Sequence, residues 1–421
     1  SSRIPDTFVD IVKICPGSPP VSLSTTQARQ APRENTLMKA IFEAARRGLP
    51  ILALAGLIQS LPAAADLPIE TLGSEPVVKA KTRIYIPDIA IMHIGDGKLH
   101  VVDGETGAYQ GVIGTGFTGQ TKVSHDGKQI FISTGYYSRG QRGERTDIVE
   151  VWNADTLRFE YEIPISDKRA MALNYKWLLT LSSDSRWLIV QNATPATSVQ
   201  VIDLTQKKTV SEITMPGCWA IYPVPSQPNR FGALCGDGTM QMVTLAEDGS
   251  AASRTISEPL FDPDADALFI QGEPTGDTYH FVSFTGNVVS IDMSGETAKA
   301  AGKWSLVSSA ERKKGWRPGG YQPLALHVDS GRMYVAMHPG GGEGSHKSPA
   351  KEVWVYDIAS KKRVAKVHGH GATAIATSTD GKLLYAIDAE KAALVITQLG
   401  KKPKVRGTFQ VGEFPSQLEV R

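Results

Sequence analysis

The side chains of this chain that could do chemistry do not gather into a recognisable apparatus. Of its nine histidines, His368 and His370 form the nearest pair. Residues two apart in an extended stretch share a face, so a metal pair is geometrically possible there. No third ligand stands beside them, which favours a surface or packing role. His338 and His346 flank the glycine-rich run Pro339-Gly340-Gly341-Gly342-Glu343-Gly344, which has no following Lys-Ser/Thr and opens no helical pattern, so it reads as an exposed loop. Asp262, Asp264 and Asp266 crowd together without the glycine and terminal glutamate of a calcium loop, and read as a solvated connection. No GxSxG elbow or HExxH helix occurs, and no GxGxxG opens a helix. We therefore expect no catalytic residue and no metal site in this chain.

Cys218 and Cys235 are the remaining chemical pair, since Cys15 lies far upstream. With Pro223, Pro225 and Pro228 between them they suit a disulfide closing a looped hairpin. The alternative, two free thiols acting as ligands or nucleophiles, lacks a histidine at metal spacing.

The elements that must carry these residues announce themselves by repetition. A β-branched run, an Asp or Asn and a polar turn recur as VVDGETG (101–107), VWNADTL (151–157), VIDLTQKK (201–208), VSIDMSGE (289–296) and VWVYDIASKK (353–362). Between them runs a second phrase, a turn followed by an alternating strand: VSHDGKQIFIST (123–134), SSDSRWLIVQN (182–192), HVDSGRMYVAM (327–337) and TSTDGKLLYAID (377–388). Asp126-Gly127 and Asp380-Gly381 fit tight two-residue hairpins that need positive backbone dihedrals. The first copies begin about fifty residues apart, within the range of four-stranded propeller blades. The stretch from about 75 to 421 then holds about seven units. The predicted architecture is all-β, a seven-bladed β-propeller of four-stranded antiparallel blades, with a β-sandwich pair as the less natural alternative. The tryptophans near strand positions are expected to pack between blades.

Forty glycines and 25 prolines suit a turn-rich protein, and the net charge is only +2. The pairs Lys207-Lys208, Lys313-Lys314 and Lys361-Lys362 fall in turns, so no nucleic-acid partner is expected. Residues 38–65 have the three parts of a secretory signal: Lys39, Arg46 and Arg47, then an apolar run from Leu49 to Leu61, then Ala63-Ala64-Ala65. That run is too short to span a membrane comfortably. The expected organisation is an upstream or leader sequence (1–37), a signal peptide (38–65), an N-terminal extension (66–82) and the propeller (83–421), working in the periplasm. The Arg46-Arg47 pair leaves a twin-arginine export route open.

Three stretches go beyond generic propeller character: YYSRGQRGERTDIVEVWNADTL (136–157), GCWAIYPVPSQPNRFGALCGDG (217–238) and KKGWRPGGYQPLALHVDSGRMYVAMHPGGGEGSHK (313–347). From about Arg83 to the C-terminus the chain resembles the heavy chain of the tryptophan tryptophylquinone amine dehydrogenases. Residues 331–347 look more like the aromatic, or aralkylamine, branch than the methylamine branch. The resemblance implies a seven-bladed chain paired with a small, disulfide-dense light chain, two of each. By the same resemblance, the tryptophan tryptophylquinone and the catalytic base are expected on that light chain. The implied reaction deaminates a primary amine oxidatively to aldehyde and ammonia, and hands electrons to an azurin-like or amicyanin-like copper protein. A family phenylalanine that shapes the substrate channel corresponds here to Ile91, or to Met92 if the alignment slips by one. Loss of the ring means that substrate preference cannot be copied from either branch. Two rival readings stand beside this one: a stand-alone periplasmic propeller lactonase with a metal in its central channel, and a binding scaffold without activity.

Overall fold

The computed structural model describes residues 76–171 and 175–421. The expected leader, signal peptide and first part of the extension, with Cys15, lie outside these residues.

Seven antiparallel sheets follow one another along the chain, which confirms the seven-bladed propeller. Six are four-stranded, and the sixth blade has a fifth strand because its inner edge is split into Arg317–Pro318 and Leu324–His327. Chain order within a blade runs from the innermost strand outward. Blade 1 is the exception: Arg83–Asp88, Gly97–Asp103 and Tyr109–Gly116 supply its outer three strands, and Glu419–Val420 supplies the innermost. Ile84 pairs with Val420 and Tyr85 with Glu419, so the two ends of the domain close the ring.

The strands form because their residues alternate. Trp187–Asn192, Ser198–Asp203 and Leu383–Asp388 are buried throughout, whereas the outermost strands, such as Lys208–Thr214 and Lys404–Gln410, alternate toward solvent. Apolar side chains from adjacent blades meet face to face: Phe131, Val149 and Val151 of blade 2 pack with Leu179, Leu188 and Val190 of blade 3. Trp177, Tyr222, Tyr279 and Phe281 join blades 3, 4 and 5, Trp177 meeting Tyr279 edge-on at 5.7 Å. Trp177 thus packs between blades, as expected.

A meander alternates its connections between the two faces of the ring. Hairpins between the second and third strands share one face with the crossings from blade to blade; this is the loop face. Hairpins between the first and second strands, and between the third and fourth, share the other, the turn face. The Asp-Gly turns lie on the turn face but are not two-residue hairpins. In each Asp-Gly pair only the glycine has positive φ (71° at Gly127, 68° at Gly381), and the preceding strands stop at Val123 and Thr377. Ser124 and Ser378 stretch the connection by accepting the N–H of Gln129 and Leu383, both at 2.9 Å. Ser185, φ 63°, takes the glycine's place in blade 3.

Candidate functional site: the loop face

The hairpin of residues 89–96 crowns blade 1 on the loop face. Ala90 adopts left-handed angles (φ 42°, ψ 56°), and Ile91–His93 turn once as a 3-10 helix closed by His93 N–H donating to Ala90 O at 2.6 Å. The turn presents its apolar side chains outward: Ile91 is 49% exposed and Met92 84%. Both sequence-predicted channel residues therefore sit on one projecting turn. The hairpin abuts blade 2, because a Cβ on Gly95 would lie 3.5 Å from Gln141 Cγ and 3.9 Å from the Phe117 ring. Phe117 in turn meets Tyr137 edge-on at 5.9 Å.

Asp88 anchors this turn. Its Oδ1 accepts the N–H of Ala90 (2.8 Å) and of Phe414 (2.9 Å), and its Oδ2 accepts that of Glu413 (2.6 Å). His100 Nε2 stands 3.6 Å from Oδ2. Burial disfavours the carboxylate, but His100 and the three backbone donors outweigh it and lower the pKa to about 2. Sequence reasoning passed over Asp88, because its partners at 413 and 414 are distant in the chain.

The RGERTD segment supports the neighbouring crossing. Arg145 donates to Asp147 through Nε (2.7 Å) and Nη2 (2.5 Å), and Arg169 Nε lies 3.6 Å from Asp147 Oδ2. The buried Arg169 guanidinium donates to the carbonyls of Phe117, Thr118 and Ala170. Burial pulls its pKa down to about 10 against the attraction of Asp147, so it stays charged at neutral pH. The motif thus staples two blade crossings.

WRPGG does similar work at blade 6. A Cβ on Gly320 (φ 116°) would meet Thr373 O at 2.4 Å, and one on Gly319 would meet Ser348 O at 2.6 Å. Only glycines allow that approach. Next to them Tyr321 meets Phe414 edge-on at 5.8 Å. Trp316 and Trp354 lie 5.0 Å apart, but Trp354 is fully buried beneath Arg363 and Lys366, out of reach of an amine.

Cys218 and Cys235 form the expected disulfide, directly opposite each other on Cys218–Val224 and Gln227–Cys235. The intervening prolines lie in or between paired strands, so the segment is a hairpin turning at 225–226, with register breaks between Trp219 and Tyr222 and between Pro223 and Val224. The rings of His368 and His370 lie 4.3 Å apart, and among the described residues no group of three or more His, Cys, Asp or Glu could hold a metal. Asp266 is not merely solvated: it accepts from Thr285 N (2.9 Å) and Asn287 Nδ2 (2.7 Å), tying the 257–272 crossing to blade 5.

Ion pairs gather at the innermost strands. Lys122 Nζ lies 3.1 Å from Glu419 Oε1, Arg421 Nη2 2.7 Å from the same oxygen, and Lys176 Nζ 2.5 Å from Glu273 Oε1. Burial opposes charge on Glu419, yet Lys122, Arg421 and Lys176 hold its carboxyl below the ordinary value. Three cations facing two carboxylates form a poor donor set for a divalent metal.

Residues 80–418 match the family described as methylamine dehydrogenase heavy chain (MADH). The chain belongs to that family. It is similar to the methylamine dehydrogenase heavy chain of Methylorubrum extorquens, 29% identical over 86% of this chain and 88% of the relative. It is also similar to that of Paracoccus versutus, 28% identical over 79% of this chain and 78% of the relative. Among solved structures it resembles a periplasmic gluconolactonase of Pseudomonas aeruginosa, with a TM-score of 0.57 and 15% identity over 80% of this chain and 98% of that one. That likeness is one of fold alone. Membership makes the chain the heavy subunit of an amine-oxidising enzyme with a light-chain partner, its quinone cofactor belonging to the light chain. No helix among the described residues is long and apolar enough to cross a membrane.

Proposed function

We propose that this chain is the heavy subunit of a periplasmic aralkylamine-type dehydrogenase, two heavy chains holding two light chains that carry tryptophan tryptophylquinone. The complex deaminates primary amines to aldehyde and ammonia and passes single electrons to an azurin-like copper protein. Export uses the signal at 38–65, with cleavage after Ala65. This chain contributes the rigid ring, the seat for the light chain on the loop face, and one wall of the substrate channel.

The observation that carries this reading is the Ile91–His93 turn, which holds two apolar side chains out to solvent beside Phe117. Such side chains suit a channel completed by a second chain better than a free surface. The aralkylamine assignment rests on the character of residues 331–347, while the relatives, 26–29% identical, are all methylamine heavy chains. Those same relatives favour a second reading, a methylamine dehydrogenase heavy chain with an amicyanin-like acceptor. The lactonase reading loses support because the channel carboxylates are already matched by lysines.

Co-expression with the light chain tests the proposal. The expected result is a coloured complex bleached by phenylethylamine more efficiently than by methylamine, while the heavy chain alone is colourless and inert. Preference for methylamine selects the second reading, and amine turnover by the lone heavy chain rejects both.

A further inference from the structure

The side chains that face the proposed channel are exposed and rest on a single turn, so something buried must set where that turn stands. Asp88 is 2% exposed and ends the strand that leads into it. One oxygen holds Ala90 at its N–H, the residue whose left-handed backbone starts the turn. A left-handed alanine is unfavourable by itself, and the ionised oxygen aimed at its N–H offsets that cost. The same carboxylate grips Glu413 and Phe414, 325 and 326 residues away in sequence.

A second, independent feature is the shape of the segment that wraps it. Gly412 has φ 64°, and a Cβ there would fall 2.1 Å from Asp88 Oδ2, so the backbone encloses the carboxylate as closely as a glycine permits. Ser416 N–H donates to Pro87 O at 3.0 Å, and Phe414 leans on Tyr321, which lies between the two inner-edge strands of blade 6. The turn is thereby referenced to the ring closure and to blade 6, not to its own short hairpin.

We propose that Asp88 is a positioning residue for amine selectivity: without touching substrate, it fixes the height and orientation of Ile91 and Met92 and so the width of the channel. This rests on the reading of that turn as a channel wall. Asparagine would keep one acceptor for Ala90 and Phe414 but set an NH2 against the N–H of Glu413, releasing the turn from the closure segment. Gly412→Ala would push the carboxylate from the other side.

The test uses the assembled heavy and light chain complex, assayed with n-alkylamines from methylamine to hexylamine and with phenylethylamine. For Asp88→Asn and Gly412→Ala we expect the long-to-short ratio of kcat/KM to move by about tenfold, mostly in KM, with kcat for the best small amine changed less than about twofold. Quinone absorbance per complex should be unchanged. A purely structural role would lower the yield of complex and leave the ratio where it was, which would overturn the proposal. Met92→Ala separates the two levels. If it shifts the ratio and the Asp88 and Gly412 variants do not, only the positioning role fails. If Met92→Ala leaves the ratio unchanged as well, the channel-wall reading fails with it.

Discussion

On the turn face, blades 2, 3 and 7 repeat one arrangement. Ser124, Ser182 and Ser378 donate to Asp126, Asp184 and Asp380 at 2.6, 2.6 and 2.7 Å, and each aspartate accepts the N–H two residues on at 3.0 Å. Asp103, Asn153 and Asp203 likewise accept the N–H groups two and three residues on in blades 1, 2 and 3. On the loop face the hairpins differ: 89–96 is tied to 413–414, 138–144 leads into the Arg145–Asp147 pair, and 236–239 is fixed by the disulfide strands. One face repeats a local solution in several blades. The other solves a different problem in each blade, as a surface shaped for one particular partner must.

Loop exchange is the strongest way to break this contrast. Replacing 138–144 with Asn-Gly should cut recovery of light chain with a tagged heavy chain by more than about tenfold. Grafting the blade 7 turn 378–382 onto 124–128 changes only His125 to Thr and should leave recovery within about twofold. Equal losses from both would show that the faces are not functionally distinct.

The disulfide comes next. Cys218 and Cys235 are separated by 17 residues, and removing a crosslink of that span costs about 3 kcal/mol in the chain-entropy model. Cys218→Ser with Cys235→Ser should lower the denaturant midpoint of the isolated heavy chain accordingly. A smaller loss would mean that the strand pairing alone holds this edge of the loop face.

The contrast also explains what could be read from the sequence. Turn-face chemistry is local, so the Asp, Asn and Gly signals of VVDGETG and TSTDGKLLYAID revealed the blades and their number. The cysteine pair was legible for the same reason, being joined across one hairpin. Asp88 and Arg169 were not, because the first is defined by Glu413 and Phe414 and the second by Phe117 and Asp147. Nothing near either residue in the chain marks it as a node. The length of the Asp126-Gly127 connection was misjudged because the Ser124 hydroxyl, a partner several residues away, extends it.

Acid titration sharpens the comparison at a single residue. The Asp88 carboxyl, about 2 in the folded ring against an ordinary 3.8, binds its proton more weakly folded than unfolded. Its stabilisation, about 2 kcal/mol, is fully present above pH 4 and is lost as pH falls toward 2. Asp88→Asn should therefore be less stable than the parent at neutral pH and lose less between pH 4 and 2. Parallel acid profiles for the two proteins would show that the carboxylate is not what holds the loop face to the ring closure.

The smallest effect is the most discriminating for the repeated face. Ser124, Ser182 and Ser378 are each at most 5% exposed and make the same donor and acceptor contacts. Alanine at any one leaves a strand N–H without its partner and should cost about 1 kcal/mol by chemical unfolding. The turns of blades 2 and 3 touch where His125 Nε2 meets Ser182 O at 3.0 Å, but Ser378 shares no partner with either, so combining Ser378→Ala with Ser124→Ala or Ser182→Ala should lose about the sum, and light-chain recovery should not change. Unequal or non-additive losses would mean that these turns sense their surroundings as the loop-face hairpins do, and the division between a modular face and a specialised one would not hold.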